Sequence, residues 1–214
     1  VEVNNIPVEG FVGYDDDTCV SKMIKYRKVK FKGEDRYHVI FDKTPFYPEG
    51  GGQIGDIGYI VPQAEESKLE QYYVLDTKRE NNMIIHVMES LPVLSSSISE
   101  YILKPDLATR ILTTRNHSAT HLLHYVLRME LGDHVEQKGS YVGSDYFRFD
   151  FSHFEKISQN QLLKIEKRIN DFIVSGVMLK EFRQLPIEQA KEMGALSLFG
   201  EKYGDNVRVI KYGD

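Results

Sequence analysis

The stretch Asn116–Leu131, NHSATHLLHYVLRMEL, constrains this chain most. Its spacing predicts a helix with Asn116 as N-cap and Gly132 as the stop. With ~100° per residue and His117 at zero, His121 falls at ~40°, His124 at about −20° and Arg128 at ~20°. Ala119, Leu122, Leu123 and Val126 gather near ~180°. One face is therefore apolar and is expected in a core. The three imidazoles are expected to look away from it, as the wall of a site. His117 and His121 are one turn apart, so both rings can reach one ion, and neutral imidazole is a good zinc ligand. A solvated polar face is the alternative. A His-Glu-x-x-His metalloprotease is excluded, because Ser118 stands where the general base would be.

Composition narrows the rest. Of 214 residues, 41% are hydrophobic and 28% charged, an ordinary globular balance. No apolar run is long enough to span a bilayer and no signal peptide is visible, so a cytoplasmic setting and no membrane partner are expected. Val1 rather than Met leads the sequence, which suggests a piece of a longer chain. The one cysteine, Cys19, rules out an internal disulfide and a multi-cysteine zinc site within this sequence. Residues 1–103 carry 11 Lys+Arg against 17 Asp+Glu, and residues 104–214 carry 16 against 15. That is not the field of a general nucleic-acid binder, although a local basic patch in the second part can meet a phosphate backbone.

Residues 1–103 read as β. Tyr26–Phe31 and Arg36–Phe41 flank a turn at Lys32-Gly33-Glu34-Asp35, and Tyr59–Pro62, Gln71–Leu75 and Met83–Val87 are further strands. Many short strands with turns between them predict a small β-barrel. Asp15–Asp17 reads as a solvated loop. Thr44–Gly58, TPFYPEGGGQIGDIG, has GxGxxG spacing. No helix is predicted after it and no Lys-Ser/Thr follows, so neither a dinucleotide fingerprint nor a P-loop fits. Two readings stay open: a tight turn needing positive φ, or a loop whose bare backbone approaches a ligand.

Lys104-Pro105-Asp106 marks a boundary, and Asp106 is expected to cap a short helix ending near Thr114. Phe147, Phe149 and Phe151 alternate with polar residues as a half-buried strand. Ser158 and Gln161 form a capping box. The helix they open is expected to bury Leu162, Ile165, Ile169, Phe172 and Ile173, to stop at Gly176, and to show Lys164, Lys167 and Arg168 to solvent or to an RNA backbone. A strand over Val177–Leu185, a short helix over Pro186–Met193 and a strand over Val207–Tyr212 complete the second part. The class is α+β, with a barrel over 1–103 and an α+β domain with a mostly antiparallel sheet over 104–214.

Five blocks carry a resemblance: NHSATHLLH (Asn116–His124), EQKGS (Glu136–Ser140), FRFDFSH (Phe147–His153), FGEKYGD (Phe199–Asp205) followed by VRVI, and the glycine loop. In this order and spacing the sequence resembles the editing region of the alanyl-tRNA synthetase family, together with its free-standing editing relatives, from about Phe11 to Asp214. The resemblance implies a deacylase that hydrolyses serine or glycine wrongly attached to alanine tRNA. A pocket built for alanine cannot exclude glycine by size, and a hydroxyl or methylene changes binding by only ~1–3 kcal/mol, for which synthetase editing is the standard illustration.

The resemblance further implies zinc on His117, His121 and a later Cys-x-x-x-His pair. The sequence ends at Asp214 ahead of such a pair, so a half-site that binds zinc weakly or not at all is expected. Neither His124 nor His153 matches a ligand of the family. Gln137 matches a glutamine of the family's editing pocket, where it helps position the aminoacyl group, and Lys138 beside it is expected as a phosphate contact; these two are the expected catalytic residues. Thr44, Gly50, Gly51, Gly52 and Gln53 are implied near the aminoacyl end. The partner implied is the acceptor end of alanine tRNA. ATP belongs only to the aminoacylation domain of a parent enzyme. A non-catalytic acceptor-end binding module and a free-standing editing protein are the alternatives, and no oligomeric state is indicated.

Overall fold

A computed structural model describes residues 1–63, 70–94, 99–195 and 204–213. Of the FGEKYGD block, residues 199–203 lie outside the described residues. The strands are β1 (Gly10–Phe11), β2 (Cys19–Ser21), β3 (Met23–Phe31), β4 (Glu34–Phe41), β5 (Lys43–Thr44), β6 (Gly58–Pro62), β7 (Tyr72–Glu80), β8 (Met83–Met88) and β9 (Tyr101–Pro105). There follow α1 (Leu107–Leu131), β10 (Gln137–Val142), β11 (Phe147–Phe151), α2 (Gln159–Val174), β12 (Leu179–Pro186), α3 (Ile187–Glu192) and β13 (Asn206–Tyr212). The chain divides into two compact units, Val1–Asn116 with Tyr141–Phe147, and His117–Ser140 with Arg148–Asp214.

The first unit is built on a seven-stranded sheet in the order β2-β9-β6-β7-β8-β4-β3, antiparallel at every pair. Two tight hairpins set its register. Lys32-Gly33 (φ 50° and 87°) joins β3 to β4, and Asn81-Asn82 (φ 50° and 62°) joins β7 to β8. Positive φ at both central residues matches the right-handed twist of the strands they join. Alternation puts Met23, Val39, Phe41, Ile60, Tyr72, Val74, Met88, Tyr101 and Leu103 into one core with Phe46. A register shift between Val74 and Asp76 turns Thr77 inward after Leu75 has pointed out. Among the described residues the hydrogen-bonded order is open, with β2 and β3 at its ends. Lys104 and Pro105, expected as a boundary, are the last residues of β9.

In the second unit Val126, Leu127, Val135 and Ile165 form the core, with Leu123, Phe149, Phe151, Ile169 and Phe172 packed against it. The capping box is formed: Ser158 Oγ accepts from Gln161 N and the Gln161 side chain accepts from Ser158 N. The expected apolar stripe of α2 is buried only at its centre. Leu162 and Ile173 are 45% and 56% exposed. The basic face is ion-paired: Lys164 and Arg168 both reach Glu130, and Lys167 reaches Asp171. The sheet content is also divided differently from the expectation. The large antiparallel sheet belongs to the first unit, whereas the second holds the antiparallel pair β12–β13. β10 and β11 form a further two-stranded sheet.

Candidate functional site

The helix that carries the histidines is longer than its sequence suggested. α1 runs unbroken for 25 residues. Its cap is Asp106, whose Oδ1 accepts from the backbone N–H of Ala108 (3.0 Å) and Thr109 (3.2 Å). With the first turn satisfied there, nothing interrupts the helix at Thr114. Asn116 is therefore an interior residue rather than a cap, and its side-chain amide donates to the carbonyls of Gly143 (2.8 Å) and Ser144 (3.1 Å). Gly132, at φ 115°, ends the helix as expected.

The HxxxH spacing does bring His117 and His121 together. Their rings stack with centroids 5.0 Å apart and planes 16° from parallel. Burial, then the neighbouring His121, then Arg208 push the His117 imidazole down to about 4. Burial, then His124, lower His121. Both rings are thus held in the neutral form that ligates metal. Ser118, between them in sequence, hydrogen-bonds the Tyr212 hydroxyl at 3.0 Å.

His124 departs from the expectation. It is buried rather than facing away from the core, and its ring packs 5.1 Å from that of Phe149. Its Nε2 has no hydrogen-bond partner among the described residues. Burial lowers its pKa, against a hydrogen bond with the backbone of Val135. The wheel centred the buried face of α1 on Ala119, Leu122, Leu123 and Val126, but Thr113, Thr120, His124 and Leu127 are buried on the side next to it, so the buried face is turned towards His124.

The donor type at His117 and His121 suits zinc, and a one-turn separation suits two adjacent positions of a tetrahedral shell. The number falls short: among the described residues no group of three or more His, Cys, Asp or Glu side chains is gathered as a metal site. Gln137 opens β10, its amide donating to Ser140 Oγ at 3.0 Å. Lys138 is exposed and pairs with Glu136 at 2.9 Å, which lowers the Glu136 pKa.

The glycine loop lies in the first unit. Gly50 and Gln53 exchange backbone hydrogen bonds of 3.1 and 2.9 Å around Gly51 and Gly52, at φ 59° and 85°. Ile54 N donates to Val142 O (3.1 Å), and Val142 N to Gly52 O (2.8 Å). Gly55 is required for a different reason, since a Cβ there would stand 2.0 Å from Thr77 O. The positive φ expected of a tight turn is thus present at Gly51 and Gly52, and Gly51 is the exposed residue of the turn.

Thr44 is only 2% exposed and fully engaged. His86 Nδ1 lies 3.1 Å from Val39 O, an acceptor only, so Nδ1 carries the proton. Nε2 then accepts from the Thr44 hydroxyl (2.8 Å), which itself accepts from Phe46 N (3.1 Å). A second anchor joins Asp56 to Arg110, whose Nε is 3.0 Å from Asp56 Oδ2. Arg110 Nη2 also reaches Asp56 and Pro45 O, and Tyr47 N donates to Asp56 Oδ2 at 2.6 Å. Sequence reasoning missed both anchors. The hint at Asp56 was an acidic residue inside a glycine-rich apolar loop, where an unpaired charge is costly to bury.

A family model described as "tRNA synthetases class II (A)" matches residues 2–98. Nearly the whole sequence resembles curated alanine–tRNA ligases. It is 47% identical over 203 residues to an alanine–tRNA ligase of Parabacteroides distasonis, covering 95% of this chain and 22% of that protein. It is 47% identical over 212 residues to the Flavobacterium psychrophilum ligase, covering 97% and 24%. For the Cytophaga hutchinsonii ligase the identity is 49% over 205 residues, covering 95% and 22%. This stretch of sequence belongs to the alanine–tRNA ligase family, and it spans less than a quarter of the length of those relatives.

Proposed function

We propose that the second unit is the editing module of an alanine–tRNA ligase, a deacylase that releases serine or glycine wrongly esterified to alanine tRNA. The observation that carries the reading is the stacked, neutral His117–His121 pair within a sequence of this family. The substrate is the aminoacylated acceptor end, water is the nucleophile, and attachment of alanine with ATP belongs to the ligase as a whole. Gln137 orients the aminoacyl group through its side-chain amide. Lys138 meets a phosphate.

Zinc is part of the proposal: His117 and His121 would supply two donors, and a bound ion would polarise the ester or orient water. In the first unit the turn Gly50–Gln53 offers backbone for a tRNA contact of its own, while Thr44 acts by holding the root of that loop. We read this unit as barrel-like, because β2 and β3, the two ends of the strand order, are separated only by Lys22.

The test measures zinc content and serine release from seryl-tRNA together, in this chain and in a full-length ligase carrying the same stretch. In the ligase, His117→Ala or His121→Ala is expected to lose zinc and to slow release by at least about 100-fold, with alanine attachment retained. Full serine release by a zinc-free double variant would refute the role of the pair.

A further inference from the structure

A second imidazole pair lies outside the proposed reaction site. His134 Nε2 and His153 Nδ1 are 2.9 Å apart, a hydrogen bond that joins the two rings edge to edge, with centroids 5.1 Å apart and planes 17° from parallel. Phe154 lies over the His134 ring, 4.5 Å and 27° from it, and its centroid is 6.4 Å from that of His153. The local sequence fixes this arrangement. The helix stop at Gly132 lets the chain turn tightly beneath His134, where a Cβ on Gly132 would stand 3.0 Å from His134 Nδ1. Ser152 Oγ donates to His134 O (3.0 Å) and accepts from Glu136 N (3.2 Å), tying the end of β11 to the chain before β10. The outermost ring is Phe154, 84% exposed. An aromatic ring stacked on one imidazole, itself held by a hydrogen bond to a second, and open to water elsewhere is a platform for a flat π system.

We infer that Phe154, stacked on the His134 ring that His153 holds in place, is a binding site for an unpaired nucleobase of an RNA, separate from the histidine pair of α1. A flat, sequence-tolerant ring matches the platform, because every base has a π face. The RNA partner rests on the proposed function, but the test reads binding and needs no hydrolysis. Glu155 and Lys156 follow Phe154 and are both exposed, so their charges offset. Stacking rather than charge then holds the base, and a shallow dependence on salt is expected.

The chain contains no tryptophan. Phe154→Trp therefore places a single indole on the platform, outside the core. Its emission is expected to be quenched by a short single-stranded RNA and unaffected by a blunt duplex of the same sequence. In the unsubstituted chain, Phe154→Leu is expected to weaken binding of a dye-labelled single strand about tenfold. His134→Ala, which removes the ring beneath, is expected to weaken it by a similar factor. Urea unfolding of each variant establishes that it folds. Absent or equal quenching by strand and duplex, or full affinity in folded Phe154→Leu, overturns the inference. Quenching in this chain, together with no serine release by the full-length ligase, would support the stacking site and count against the editing reading alone.

Discussion

His86 and His117 are both pushed down to about 4, yet they sit in different kinds of surroundings. In the first unit His86 is fully buried at the centre of the sheet, lowered by burial alone, with Val39 O on one nitrogen and Thr44 on the other. In the second unit His117 is partly exposed on a helix, lowered by burial and then by a second imidazole and a guanidinium. The same protonation state thus serves an internal hydrogen-bond bridge in one unit and a ligand pair in the other. A shifted pKa does not identify a functional site by itself; the neighbours decide.

The largest expected difference between the two is in stability. His86→Ala leaves a cavity, strands the Val39 carbonyl and releases the Thr44 hydroxyl, and is expected to cost about 3–5 kcal/mol. His117→Ala is expected to cost less than about 1 kcal/mol, because the ring is not locked into a core. Urea unfolding followed by far-ultraviolet circular dichroism measures both. Similar costs would erase the distinction.

Acid sharpens it next. An unfolded histidine takes up its proton near pH 6.5, while folded His86 resists until about 4. Between those values the unfolded chain binds more protons, so stability rises with pH there. The contribution is complete above about pH 6.5 and is lost as pH falls towards 4, by on the order of 3 kcal/mol for His86. In His86→Ala the dependence over that window should be visibly shallower than in the unsubstituted chain. An unchanged slope would mean that His86 does not carry it.

The smallest effect concerns α2. Lys167 pairs with Asp171 across one exposed turn, and Lys167→Ala is expected to change stability by less than about 0.5 kcal/mol. It should also leave RNA affinity nearly unchanged, since this face is engaged in ion pairs. A marked loss of RNA binding would restore the basic face of α2 as a contact surface.

Local patterns were legible in the sequence where the physics is local. The hairpin turn at Lys32-Gly33, the Ser158–Gln161 box, the helix stop at Gly132 and the one-turn spacing of His117 and His121 all depend on neighbours within a few residues. Features closed by distant partners were not. Arg110 and Asp56 are 54 positions apart, and His86 and Thr44 are 42 apart. Asn116 looked like a cap because its side chain suits one, but Asp106 had already satisfied the first turn. His124 looked solvent-facing because the wheel centred the buried side on the apolar stripe, whereas Thr113, Thr120 and Leu127 bury the side next to it together with His124. Gly55 was recognisable as a glycine with a purpose, but its neighbour Thr77 came from a strand whose register shift no local pattern discloses.

Histidine-ring nitrogen NMR from pH 3 to 8, repeated at neutral pH with added zinc, tests the contrast most directly. His86 is expected to show a fixed Nδ1–H tautomer that zinc leaves unmoved. His117 is expected to titrate near pH 4, and its signals and those of His121 are expected to shift together as zinc is added. Titration of His117 near 6.5, or zinc moving His134 and His153 while leaving His117 and His121 in place, would contradict the account.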